Sequence, residues 1–347
     1  MRVLAAPRER TAAVLALAWA AAACTSTPRE RVSLGVVELP ALGLVFIAAE
    51  KGYFEARGLT VDQRRYGSGR DAVSALGRGD VDAATAFETP VVLRASTDHE
   101  LRVLTALHVS SRSTRLIARG DRGITQERDL AGKRVGVPRN TSAESFLHAL
   151  LVYSGVPAKE VVLVDVAPGE APGALVAGKV DAIAIWPPHV ERARRLLAGR
   201  GVGAVEIGTT AYVEASMLVV REPMLGHRRQ AFVKLVRALA DAERLVRERP
   251  GEALDALARA FPGQPEVGEA WGRVRAGLGL SHQLAQVLEA EWEWLHEEGR
   301  IGGTLDLDRL LATETLAAVD PEAVTFVPPP ARAEPAPADA PLVPPGG

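Results

Sequence analysis

A nine-residue pattern occurs twice in this chain. Ala75-Leu-Gly-Arg-Gly-Asp-Val-Asp-Ala83 and Ala174-Leu-Val-Ala-Gly-Lys-Val-Asp-Ala182 agree at six of nine positions. Each copy reads as a helix that ends at a glycine free to take positive φ, followed by a strand whose first turn carries an Asp. Strand and helix patterns alternate around both copies. The first pass predicts strands over 32–37, 59–65 and 81–84, with helices over 41–51 and 71–76. The second predicts strands over 134–137, 161–166 and 180–185, with helices over 143–153 and 173–177. Two βαβαβ units with parallel sheets are the expected framework, an α/β fold.

Downstream, 215–220 reads as a further strand. Residues 228–249 read as a long amphipathic helix with Phe232, Leu235, Val236 and Leu239 on one face, stopped by Pro250. Helices are predicted over 252–260, 265–277, 283–298 and 307–316. A late helical block packs on a lobe that already exists, so the chain is expected to cross between lobes twice, near 112–118 and 212–219. The predicted division is 31–114 plus 218–327 for lobe 1 and 115–217 for lobe 2.

The N-terminal stretch bears on where the protein works. Arg2, Arg8 and Arg10 precede an uncharged run over 11–23, and Cys24, the one cysteine of the 347 residues, follows Ala21-Ala22-Ala23. The run is shorter than the roughly 20 apolar residues a membrane-spanning helix needs, and its layout is that of a secretory signal. Cys24 resembles the acylated cysteine of a bacterial lipobox, with Ala21 where Leu is usual; an ordinary cleaved signal with an incidental Cys is the other reading. Residues 24–30 read as a tether. With a signal over 1–23 removed, the chain has no second cysteine for a disulfide or a cysteine metal site, and its net charge is −4. No basic block supports nucleic-acid binding. The Pro/Ala-rich segment 328–347 reads as a disordered tail.

Six segments carry a family likeness. They are Ala49-Glu-Lys-Gly-Tyr-Phe-Glu-Ala-Arg-Gly-Leu59, the two Gly-x-Val-Asp-Ala turns, Asp129-Leu-Ala-Gly-Lys-Arg-Val-Gly-Val-Pro138, Ala184-Ile-Trp-Pro-Pro188 and Val319-Asp-Pro-Glu-Ala-Val-Thr-Phe326. In this order the chain resembles the periplasmic substrate-binding proteins of the nitrate/sulfonate/taurine ABC importers, whose relatives include binders of thiamine pyrimidine precursors. The resemblance implies a two-lobed periplasmic-binding-protein (type II) clamshell with two hinge crossings and a small-molecule ligand between the lobes. It also implies a monomer outside the cytoplasmic membrane, lipid-anchored through Cys24, that delivers its ligand to an ABC permease.

Ligands of open α/β sheets gather at the carboxyl ends of strands. That rule and the resemblance select Glu38, Leu39, Pro40 and Ala41 after the first strand, Gly67, Ser68 and Gly69 after the second, and Phe87, Glu88 and Thr89 after the third. In the second lobe they select Arg139, Asn140, Thr141, Ser142, Trp186 and Pro188, with Glu214 near the return crossing. Ser68-Gly69 and the 139–142 segment open helices, so both offer unpaired N–H groups to a sulfonate, carboxylate or nitrate. Plain helix capping explains the same residue types. Glu38 and Glu88 oppose an anion and favour an amine or ring N–H, so a zwitterion or nitrogen heterocycle stays open beside solvent-exposed placement. Trp186 offers a stacking face, or belongs to the core.

No Walker loop, dinucleotide glycine motif or nucleophile elbow is present, and no cofactor or metal ligand set is expected. Capture without chemistry is therefore the expected activity. Two other readings stay on the table: a surface lipoprotein that signals ligand occupancy to a partner, and an enzyme like the fungal pyrimidine synthases. The latter resemblance implies a Cys-rich iron motif, which the sequence lacks.

Overall fold

The computed structural model describes residues 29–327. The signal segment 1–23, Cys24, most of the tether and the tail 328–347 lie outside the described residues. In chain order the strands are β1 (Glu30–Val37), β2 (Leu59–Tyr66), β3 (Ala83–Phe87), β4 (Leu101–Ser110), β5 (Arg115–Arg119), β6 (Arg134–Val137), β7 (Val162–Asp165), β8 (Ala182–Ile185), β9 (Ala204–Ile207), β10 (Glu214–Arg221) and β11 (Ala276–Gly279). They form a six-stranded sheet, β11-β4-β10-β3-β1-β2, and a five-stranded sheet, β7-β6-β8-β5-β9. Each sheet with its helices makes one lobe of an α/β clamshell.

The repeated pattern does the same work in both lobes. Gly79 and Gly178 end their helices at φ 78° and 70°. Asp82 then accepts from the backbone N–H of Ser33 within β1 (2.8 Å), and Asp181 accepts from that of Arg134 at the start of β6 (2.9 Å). Each Asp thereby ties its strand to the first strand of its own unit. The parallel pairs are β1–β2, β1–β3, β6–β7 and β6–β8.

The sheets are mixed, not purely parallel. β10 pairs antiparallel with β3 and β4, and β5 pairs antiparallel with β8 and β9. β5 and β10 follow directly on the crossings at 111–114 and 208–213, so they enter their sheets from the hinge end, opposite to the βαβ strands. All of β10 lies in the first sheet, so the return crossing precedes Glu214, ahead of the division expected at 217/218.

Two helix expectations need correction. The segment 265–277 is helical only over Val267–Gly272, after which β11 pairs with the edge of β4. Gly277 and Gly279 have poor helix propensity, and the β4 edge supplies backbone partners instead. The segment 307–316 splits into Leu307–Leu310 and Thr313–Ala317, because Ala312 N–H bonds to Val103 O of β4 (2.9 Å). The helical segment Glu222–Glu248, kinked at Arg228, buries after the kink the face read from its sequence, with Phe232, Leu235, Val236 and Leu239 at zero exposure. Among the described residues no helix is long and apolar enough to cross a membrane.

Candidate functional site

The carboxyl ends of β1, β3 and β8 and the helix starts after β2 and β6 converge where the lobes meet. Leu39, Gly69, Phe87, Thr141, Ser142 and Trp186 line this cleft, and none of its lining side chains is ionisable. The lobes are closed on it: only about 10 Å³ is open to the centre of a water molecule, room for about one water.

The helix Gly69–Arg78 enters from lobe 1. Ser68 Oγ accepts from Asp71 N–H (3.3 Å) and donates to Asp71 Oδ2 (2.7 Å), so this hydroxyl is committed to the cap. What reaches the cleft is the backbone at Gly69. A Cβ there would lie 3.1 Å from Ala86 Cα, so glycine lets the helix start lie against β3.

From lobe 2 comes the helix Ser142–Ser154. Thr141 sits at the cap position, but its hydroxyl donates to Pro138 O (2.7 Å) and caps nothing. Ser142 is 3% exposed. Trp186 closes the wall, with its Nε1–H buried and without a partner. An anion here meets two positive helix ends and an unclaimed indole donor. The first-turn acid Glu144 is balanced by Arg139 (2.8 Å) and Arg300 (3.3 Å).

The remaining expected residues face elsewhere. Glu38 is exposed and paired with Arg65 (2.6 Å), because the chain turns inward only at buried Leu39. Pro40 and Ala41 belong to the buried 3₁₀ turn Pro40–Leu42 behind the wall; Gly43, which follows the turn, abuts the Trp271 ring. Arg139 extends over Glu144, and its N–H bonds to Asp165 (3.1 Å). Asn140, at φ 61°, accepts from Arg300 across the lobe boundary. Pro188 follows a cis bond and starts the helix His189–Ala198, so Trp186 alone of that motif reaches the cleft.

Glu88, Thr89 and Glu214 belong to a buried network at the hinge. Glu88 is fully buried and accepts from Tyr212 Oη–H and from Ala215 N–H (2.9 Å). Burial, with Glu291 adding repulsion, holds its pKa well above the usual carboxyl range. Thr89 Oγ1 and Ser145 Oγ join the lobes at 2.8 Å, and Ser145 Oγ donates to Glu291 Oε1, also at 2.8 Å. Burial pushes Glu291 up to about 7. Glu214 accepts from Thr114 Oγ1 (2.5 Å) beside His108, whose imidazole burial holds down to about 4. Among the described residues no His/Cys/Asp/Glu group suits a metal ion.

Sequence reasoning left Val37 and Pro90 out of the cleft lining. Trp294, for which no binding role was expected, lines a second cavity beside the hinge. Val37 ends its strand facing the cleft, a signal the strand-end rule carries; Trp294 is placed by tertiary docking and leaves no local trace.

Several known proteins share sequence or fold with this chain. A binding protein of Brucella abortus (strain 2308) is 26% identical over 220 residues, which span 61% of this chain and 66% of the relative, just under two thirds of its length. The taurine-binding periplasmic protein of Escherichia coli (strain K12) is 29% identical over 142 residues, 41% of this chain and 44% of that one. In fold, the chain matches the alkanesulfonate-binding protein of Xanthomonas axonopodis pv. citri bound to MOPS, with a TM-score of 0.68 at 18% identity, covering 86% and 99% of the two chains. A desulfurization enzyme also has this fold, with a TM-score of 0.63 at 19% identity and coverage of 84% and 100%. The family model described as NMT1/THI5 like matches residues 40–253, more than half of the sequence, and the chain belongs to that family.

Proposed function

We propose that this protein is an extracytoplasmic solute-binding protein that captures a small organic anion, a sulfonate first among candidates, between its lobes and delivers it to the permease of an ABC importer. One observation carries the reading: two helix N-termini from opposite lobes and the unpartnered Trp186 indole N–H meet in a cleft lined by no carboxylate. The carboxylates that argued for an amine or heterocycle are elsewhere, Glu38 in solvent and Glu88 at the hinge. The taurine-binding relative supports the same ligand class and a periplasmic location. A lipid anchor on Cys24 agrees with that location and belongs to this proposal.

Fold does not decide between capture and turnover, since the desulfurization enzyme shares it. The lining does bear on the choice: it contains Ser142 and Thr141 but no His, Cys, Asp, Glu or Lys to activate a nucleophile. Binding energy therefore goes into lobe closure.

Thermal-shift measurements on residues 25–347 with taurine, methanesulfonate, nitrate, acetate and a neutral pyrimidine test the reading. A true ligand at a hundred times its Kd adds about 2.7 kcal/mol of stability. A sulfonate is expected to do so. Stabilisation by the pyrimidine alone, or release of sulfite from any sulfonate, overturns it.

A further inference from the structure

A second cavity of about 530 Å³ opens on the hinge side of the lobe contact. It is separate from the anion cleft, although consecutive elements supply both. Phe87 faces the cleft and Glu88 the cavity; Ser142 faces the cleft and Ser145, one turn on, the cavity. Its outer walls are apolar: Val152 and Tyr153 from lobe 2, and Val287 from the lobe 1 helix His282–Glu297. Its floor carries Glu88 and Glu291, and no Lys or Arg lines it.

The floor is built for a cation it does not itself contain. Both carboxyls are at least nine-tenths buried, and the groups that touch them are donors: the Tyr212 and Ser145 hydroxyls and the Ala215 N–H. Donors of this kind favour ionised carboxylates, while burial and mutual repulsion oppose them. Only one oxygen of Glu291 accepts a direct hydrogen bond, from Ser145. Arg300 lies over the Trp294 ring at 5.2 Å, but its guanidinium is bonded to Asn140 and Glu144. His148 stacks on that ring at 5.0 Å, and burial lowers its pKa, favouring the neutral imidazole that does not repel a cation.

We propose that this cavity is a second ligand site, which takes an organic ammonium with an apolar body. The ammonium sits between Glu88 and Glu291, and the body lies against Val152, Tyr153 and Val287. Because the walls come from both lobes, an occupant also braces the closed form. The site stands whatever the cleft holds.

Calorimetric titration of the full mature chain with 2-phenylethylammonium, and with neutral 2-phenylethanol as its match in shape, tests this. The ammonium is expected to bind one to one, about tenfold or more tighter than the alcohol, as a charge-assisted contact implies. Glu291→Gln should remove that preference. Ala290→Trp, at an exposed wall position, should block both probes and carries the test if Glu291→Gln fails to fold. Equal affinity for the two probes, no binding of the ammonium, or an unchanged preference in a folded Glu291→Gln protein overturns the proposal. Displacement of the ammonium by methanesulfonate also overturns it, since the two would then share the cleft. Failure of any sulfonate to bind would count against the cleft reading alone.

Discussion

The two sides of the lobe contact are chemical opposites. On the cleft side the polar groups are donors: two helix starts and the Trp186 N–H, with no acid among them. On the hinge side the cavity floor presents carboxyl groups, Glu88 and Glu291, buried without a lysine or arginine in the cavity wall. Residues one position or one helical turn apart supply both sides. The difference teaches that position after a strand selects the loop, while side-chain direction selects the charge a ligand meets.

The largest expected effect comes from making the two sides alike. Ser142→Asp places a carboxylate at the cleft helix start, and a like charge in a buried interface costs several kcal/mol. Calorimetry should show sulfonate affinity falling about a hundredfold or more. Sulfonate binding that survives this change breaks the comparison. Next in size is Trp186→Phe, which keeps the ring but removes a donor that has no partner without ligand. Sulfonate binding should weaken by about 1.5–3 kcal/mol with little change in the ligand-free melting temperature.

The hinge side has its own signature in pH. The Glu291 carboxyl holds its proton up to about 7 in the folded protein, and an unfolded chain loses it near 4.3. Between those values the native state binds more protons, so this group's contribution is most favourable at low pH and falls as pH rises, by up to about 3 kcal/mol. Glu88, Glu144 and Glu214 add to the effect through repulsion, while Arg300 and the Ser145 and Thr89 hydroxyls oppose it. His108 acts in the reverse sense, its contribution being lost as pH falls from about 6.5 to about 4. Below about pH 6.5 His108 and His189, both held down to about 4 by burial, offset this trend, so melting temperatures should decline with pH in the wild type above that value, and decline less in Glu291→Gln. Identical slopes would place the titration elsewhere. The smallest effect belongs to Glu38→Gln: as an exposed pair with Arg65 it should change ligand affinity by less than about 0.5 kcal/mol.

Much of the fold was legible because its grammar is local. The Gly-x-Val-Asp-Ala turns marked both βαβαβ units, and the strand over 134–137 matches β6 end to end. β4 went unread: its polar residues Arg102, Thr105, His108 and Ser110 are all buried, so alternation of polar and apolar residues gave no signal. β11, Ala-Gly-Leu-Gly, has no strand propensity and exists because β4 leaves an edge to pair.

The candidate site was half legible by the same logic. Gly69, Thr141, Ser142 and Trp186 lie in the cleft where the strand-end rule puts them. Glu88 obeys the rule in sequence but points to the other side, since consecutive residues leaving a strand face opposite ways. The cavity wall from the helix His282–Glu297 depends on docking against the helix Glu88–Ala95, a contact far apart in sequence.

Capture in the cleft is tested most directly by indole NMR on ¹⁵N-tryptophan protein, with the Trp186 signal assigned from its loss in Trp186→Phe. Methanesulfonate should move the Trp186 Nε1–H resonance downfield in a saturable way and leave that of Trp294 in place. A Trp186 signal unmoved at saturating sulfonate, or a shift confined to Trp294, would contradict an anion held between the two helix starts.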